Sequence, residues 1–278
     1  MFKNSIDSFL RIIKLVTLKE SKMGNFKKNF AKWKTETGEH GPRAMTRFVI
    51  MQFVEGLQSV APDRYIFKGG NLLWHYIKTP RSTVDVDFAT DVEVELEQVL
   101  KDFSSVRTDG CTFSVKTHNA VESDEKSGLA VQMEFLTEEG STNPFGIDVV
   151  FAIKTHSKRI KLANAQVTAA SLENIIVDKV AACHRFAGGN TRMKDFDDLY
   201  RIAQANQKVD AKLIQKLAAE RDIKLSLNPK WINKQITGAW EEYTQKKVYK
   251  DASDLPKDLT ELIDTTNEYL SNVTKLAK

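Results

Sequence analysis

The chain has 278 residues, 41% hydrophobic and 28% charged, with a net charge of +4. That is a globular composition, long enough for one large core or two modest ones. No run approaches the roughly 18 apolar residues of a membrane helix. The first residues, interrupted by Lys14, Lys19 and Glu20, lack the features of a secretory leader. Two cysteines, Cys111 and Cys183, have no Cys or His partner at zinc spacing, which suits a reducing compartment; a cytoplasmic location is expected.

Charge is unevenly spread. Residues 1–34 hold nine basic side chains against Asp7 and Glu20, so this arm carries +7 and the remainder −3. Phe2, Phe9, Phe26, Phe30 and Trp33 lie among these charges. A basic arm that docks nucleic-acid phosphates would look like this, and so would the solvated face of an amphipathic helix. Apolar spacing predicts helices over residues 1–58, broken by the Gly38 to Pro42 turn and resuming at Ala44.

The pattern changes after residue 60. A β-prone run at 64–68 ends in Gly69-Gly70, and residues 71–77 read as helix with Asn71 as its N-cap. A strand is expected at 83–88, an acidic helix at 91–103, and further strands at 112–117, 130–136 and 146–153. From residue 168 the periodicity is helical, through 171–186, 195–205, 211–220 and two later stretches. The expected fold is an α/β (α+β) core with a mixed sheet, between N-terminal helices and a C-terminal helical domain. The expected bounds are 1–58, 59–160 and 161–278.

Asp85 and Asp87 carry the first chemical signal. At i and i+2 on a strand both carboxylates face one side, while Val84, Val86 and Phe88 face the core. Adjacent carboxylates repel unless a cation lies between them, and paired divalent metals serve in-line phosphoryl chemistry. An exposed strand face or turn would also tolerate Asp-x-Asp. Gly69-Gly70 narrows the choice: between a strand and a helix, glycines let backbone N–H groups approach phosphates, and a helix N-terminus favours negative charge.

Asp148 interrupts an apolar strand, a costly place for a charge unless it is paired or metal-bound; it can serve as a general base, or simply lie at the wet end of the strand. Lys179 falls on the apolar stripe of its helix, where it either snorkels or enters a cleft to neutralise transition-state charge. Asp195 shares the apolar side of the next helix and can pair with Lys179 or orient substrate, or be simply an N-terminal Asp favoured by the helix dipole; Asp197 is expected to face away and Asp198 to lie on the rim. Arg192 and Lys194 would hold phosphate or be ordinary surface charges.

Lys68-Gly69-Gly70-Asn71-Leu72 followed by Arg81-Ser82-Thr83-Val84-Asp85-Val86-Asp87-Phe88 resembles the first motif of the AbiEii/MenA toxin-type nucleotidyltransferases, within the DNA-polymerase-β-like superfamily. Asp148 resembles that family's later acidic strand residue. Lys179 and the run from Arg192 to Leu199 resemble its two helical motifs. The resemblance spans about residues 60–205. It implies a toxin of a toxin–antitoxin or phage-defence system that transfers a nucleoside monophosphate from an NTP to RNA, tRNA 3′ ends included, with a separate antitoxin protein as partner. Asp85 and Asp87 would hold Mg²⁺ or Mn²⁺, with Asp148, Lys179 and Asp195 completing the catalytic set. Lys68, Gly69, Gly70 and Arg81 would bind the nucleotide. Asn71 departs from the family's usual small hydroxyl residue, which bears on nucleotide preference. Transfer to a small molecule or protein is an alternative, as is a non-catalytic nucleic-acid-binding protein, against which the three retained carboxylates argue.

Overall fold

A computed structural model describes residues 26–41, 44–80, 83, 85–123, 126–245 and 255–275. Most of the basic arm, together with Arg81, Ser82 and Val84, lies outside the described residues. Among them, no helix is long and apolar enough to cross a membrane.

Two helices lead in, α1 (Phe26–Thr37) and α2 (Ala44–Val60). Then follow β1 (Ile66–Lys68), α3 (Gly69–Ile77), β2 (Val86–Ala89), α4 (Leu96–Ser105) and β3 (Arg107–Thr108). A long hairpin is made by β4 (Cys111–Ser123) and β5 (Lys126–Thr137), and β6 (Thr142–Val150) pairs with it. A second hairpin, β7 (Ser157–Lys161) and β8 (Gln166–Ala170), precedes the helices α5 (Leu172–Phe186), α6 (Met193–Ala205), α7 (Ala211–Glu220), α8 (Lys234–Gln245) and α9 (Leu259–Lys275).

The strands form one mixed sheet in the order β3–β4–β5–β6–β2–β1–β8–β7. Two pairings are parallel, β2 with β6 and β1 with β8; the others are antiparallel. This is the mixed α/β architecture the sequence predicts, with helices at both ends. The second hairpin departs from expectation. Its outer strand buries only Ile160 among exposed or half-exposed residues, and its inner strand runs directly into the Ser171 cap of α5, so neither shows a full period-two pattern. The helix expected from residue 91 begins only at Leu96.

One face of the sheet is packed with aromatic side chains. Phe53 of α2 meets Phe103 of α4, Phe113 of β4 and Phe145 of β6, with ring centroids 5.1–5.6 Å apart in edge-on contacts. Phe67 and Phe88 join this layer. Edge-on geometry sets the positive ring edge against the negative ring face, adding roughly 0.5–1.5 kcal/mol per pair beyond the area buried. The aromatic residues of α1 are also core: Phe26, Phe30 and Trp33 pack on Phe48, and Trp33 on Trp74. For the described part of the basic segment, the aromatics therefore form the inward stripe of an amphipathic helix, with Lys27, Lys28 and Lys32 left in solvent.

Candidate active site

With one face given to aromatics, alternation sends the intervening side chains to the other. Lys68 of β1 pairs in register with Asp87 of β2, and Asp87 with Asp148 of β6. One cation and two carboxylates thus stand in a row across three neighbouring strands, on a single face. Asp85 lies one pleat before Asp87, on the same side.

Two glycines make room for the acids. A Cβ on Gly69 would fall 1.8 Å from Asp87 Oδ2 and 2.7 Å from Asp87 Cβ, and Gly69 has a φ of +77°, a region L side chains rarely adopt. A Cβ on Gly146 would come 2.8 Å from Asp85 Oδ1. Each carboxylate therefore lies against bare backbone. Gly69 also opens α3, so the start of that helix lies beside Asp87. Gly70 is the second residue of the helix and is buried.

The cap assignment needs correction. Lys68, not Asn71, is the N-cap, and it caps without its side chain. Asn71 lies inside the first turn, fully buried, and its Nδ2 donates to the backbone oxygen of Asp85 at 2.8 Å. It ties the helix to the strand end that carries the acids. Its Oδ1 is buried with no hydrogen-bond partner among the described residues.

Electrostatics mark the row as strained. Burial raises the pKa of Asp87; Asp148 raises it further, while Lys68, Lys194 and Lys179 pull it down. Asp148 is raised by burial and by Asp85, and lowered by Lys194. Like charges held together in a partly dry place resist ionisation until a cation joins them.

The cations come from α5 and α6. Lys179 is largely buried, with Nζ 3.3 Å from Asp195 Oδ1 and a closer ion pair to Asp198. Arg192 Nε donates to Asp195 Oδ2 at 3.0 Å. Lys179 and Asp195 are thus brought together as expected, but Asp197 and Asp198 are not outward or at a rim. Both are fully buried, and Asp197 accepts from Arg201 Nε at 2.5 Å and from Tyr243 Oη at 2.7 Å. A helical wheel cannot show this, because α6 is covered on several sides: it packs against α5, α8 and α9. Lys194, left undecided by the sequence, is exposed and acts electrostatically on both Asp87 and Asp148. Its position beside Asp195 at the start of a helix was the available signal. Arg81 lies outside the described residues.

Carboxylate oxygens of this kind suit Mg²⁺ or Mn²⁺, which commonly keep water and substrate phosphate as further ligands. Among the described residues, no group of three His, Cys, Asp or Glu side chains could hold a metal by itself. Asp85 and Asp87 would accordingly share an ion with the substrate instead of enclosing it.

The chain resembles known proteins in family and in fold. The family model described as nucleotidyl transferase AbiEii toxin, type IV toxin–antitoxin system, matches residues 53–264. A solved structure of a candidate nucleotidyltransferase from Helicobacter pylori, 15% identical, covers 85% of this chain and 97% of its own at a TM-score of 0.55. The structure of JHP933 from Helicobacter pylori, also 15% identical, covers 86% and 94% at 0.55. At such identity the likeness shows a shared fold. Among curated proteins, none matches the chain.

Proposed function

We propose that this chain, which belongs to the AbiEii nucleotidyl transferase toxin family, uses a divalent metal to move a nucleoside monophosphate from an NTP onto a hydroxyl of RNA, with tRNA as the acceptor. Nucleotidyl transfer and the toxin role follow from family membership, as do an NTP substrate and a cognate antitoxin. The metal, the RNA acceptor, the cytoplasmic setting and a part in phage defence are our reading. The observation that carries it is the in-register row of Lys68, Asp87 and Asp148, with Gly69 pressed against Asp87.

The residues divide the work by position. Backbone N–H groups of Gly69 and Gly70, at the start of α3, hold phosphate oxygens, and Lys68 and Arg81 add positive charge. Asp85 and Asp87 would hold Mg²⁺ or Mn²⁺, which supplies charge neutralisation and polarises phosphate oxygens. Asp148, whose proton affinity is raised by burial and by Asp85, takes the proton of the acceptor hydroxyl as its oxygen bonds to the α-phosphorus and pyrophosphate departs. Lys194 faces the acids from α6 and meets the charge developing on the phosphates. Lys179 contributes positive potential at Asp87 from within its pairing with Asp195 and Asp198. Asp195, with Arg192 on its other oxygen, fixes where Lys179 stands.

The RNA reading is supported by the +7 charge of residues 1–34 and by the family's toxin role. Incubating the purified chain with each α-³²P-labelled NTP, Mg²⁺, total tRNA, protein and small-molecule pools tests it. Label on tRNA that disappears with Asp85→Ala supports the proposal. Label on protein or a small molecule overturns the acceptor, and transfer retained by Asp85→Ala overturns the metal site.

A further inference from the structure

Asp178, on α5, stands between two cations from distant parts of the chain. Its Oδ1 accepts from Arg221 Nη2 at 2.8 Å. Its Oδ2 accepts from Asn174 Nδ2 at 2.9 Å and lies 3.9 Å from Lys68 Nζ. Arg221 ends α7, where its Nη1 reaches Leu217 O at 3.3 Å and its Nη2 also reaches Asn174 Oδ1 at 3.0 Å. Asn174 is fully buried and its Oδ1 accepts from His156 N at 3.1 Å, so the assembly is anchored next to the sheet.

Lys68 is therefore shared. On one side it is the cross-strand neighbour of Asp87; on the other it is within reach of Asp178. A guanidinium in hydrogen-bonding contact offsets most of the charge of Asp178, and Lys68 at the longer distance feels a weakened pull. If Arg221 were absent, Asp178 would be an anion lacking its main cation, beside a lysine on a flexible four-carbon stem. That lysine would close the gap and leave the phosphate side of the row.

We propose that Arg221 is a positioning residue for the nucleotide site: by occupying Asp178 it keeps Lys68 available to the triphosphate. The inference rests on the reading of Lys68 as a triphosphate contact. It gives the helical C-terminal region a hold on NTP affinity that acts through Asp178, although among the described residues no side chain from α7 onward enters the carboxylate row.

Equilibrium binding of each Mg²⁺–NTP to the full chain, without acceptor, tests this in the wild type, R221Q, R221K, D178N, R221Q/D178N and K68A. R221Q is expected to weaken NTP binding about tenfold, the effect of one charged contact withdrawn. R221K keeps the cation and stays within about threefold of wild type. D178N alone binds as well as wild type, and R221Q/D178N recovers wild-type affinity, because no anion remains to capture Lys68. That recovery separates positioning from a structural role: if Arg221 only held α7 in place, the double variant would bind as poorly as R221Q. In turnover with saturating NTP, the R221Q effect should fall on KM with kcat little changed. Unchanged binding in R221Q, or a loss that D178N does not reverse, overturns the inference. K68A distinguishes the two levels. If K68A weakens binding and R221Q does not, only the role of Arg221 fails; if K68A binds like wild type, the reading of Lys68 fails and the inference with it.

Discussion

Replacing Gly69 with alanine tests the site at its tightest point. The new methyl would overlap Asp87 Oδ2 at 1.8 Å and Asp87 Cγ at 2.4 Å. Rotating the carboxylate away relieves both contacts, yet Asp87 Cβ would still be 2.7 Å distant, and Cβ belongs to the strand. Side-chain motion alone therefore cannot accommodate the change, and the backbone of β1 or β2 must move by about 0.3 Å or more to regain the roughly 3 Å limit of real contacts. The φ of +77° adds a backbone penalty of about 1–2 kcal/mol. With about 1–3 kcal/mol for overpacking, the expected destabilisation is roughly 2–5 kcal/mol. For a chain of this size that lowers Tm by roughly 4–20 °C. Because Asp87 is displaced as well, labelled-NTP transfer should fall by at least about 100-fold, comparable to losing one key electrostatic contact. Gly140→Ala is the control: its φ is +83° with nothing within 4 Å of a new Cβ, so it carries the backbone penalty alone and leaves transfer unchanged. A Gly69→Ala protein that melts within 1–2 °C of the Gly140→Ala protein and transfers normally would refute the geometry.

Two other perturbations have definite signs. Burial and Asp148 raise the folded-state pKa of Asp87 above its ordinary value. The stability this provides is present below the unfolded pKa and is lost as pH rises through the folded one. Asp87→Asn should therefore melt higher than wild type at pH 7 in EDTA, by roughly 2–4 °C for each kcal/mol relieved, with the gain shrinking toward pH 4 while transfer is abolished; a lower Tm at pH 7 would contradict the assignment. Lys179→Ala leaves Asp195 and Asp198 buried without their shared cation and should cost about 3–5 kcal/mol. Adding Asp198→Asn should recover part of that in a thermal melt, and an unshifted Tm for Lys179→Ala would show the pairing to be energetically idle.

The candidate residues could be picked out in the sequence because each breaks a local rule. Asp85 and Asp87 alternate with apolar residues, Asp148 interrupts an apolar strand, and Gly69-Gly70 separates a strand from a helix. Their order across the sheet was not readable. The parallel pairing of β2 with β6 joins residues about 60 apart in sequence through an intervening hairpin, and no local pattern encodes that partner. Asn71 misled for a related reason: asparagine favours helix starts through its short polar side chain, but here tertiary contact with Asp85 O claims that side chain inside the first turn. Asp197 and Asp198 were misplaced because wheel geometry assumes one wet face, and α6 is packed from several directions. Lys194 could be read either as a phosphate contact or as a surface charge, and only the fold brings its charge to bear on Asp87 and Asp148. The β7–β8 hairpin was hidden by its charge, since Lys158, Arg159 and Lys161 occupy a strand with a single buried side chain.

The parallel step between β2 and β6 has a consequence for the time course of synthesis. Lys68 and Asp87 leave the ribosome well before Asp148, and the ladder that sets them in register also needs β8, at residues 166–170, beside β1. Contacts this distant along the chain form late, because the loops between them must close first. A nascent chain that stops short of β6 carries the glycine turn and the first acid pair but has no third carboxylate opposite them. The row of Lys68, Asp87 and Asp148 can therefore be assembled only after β6 and β8 have been made, and the growing chain passes through a stage that holds the first acids without the third.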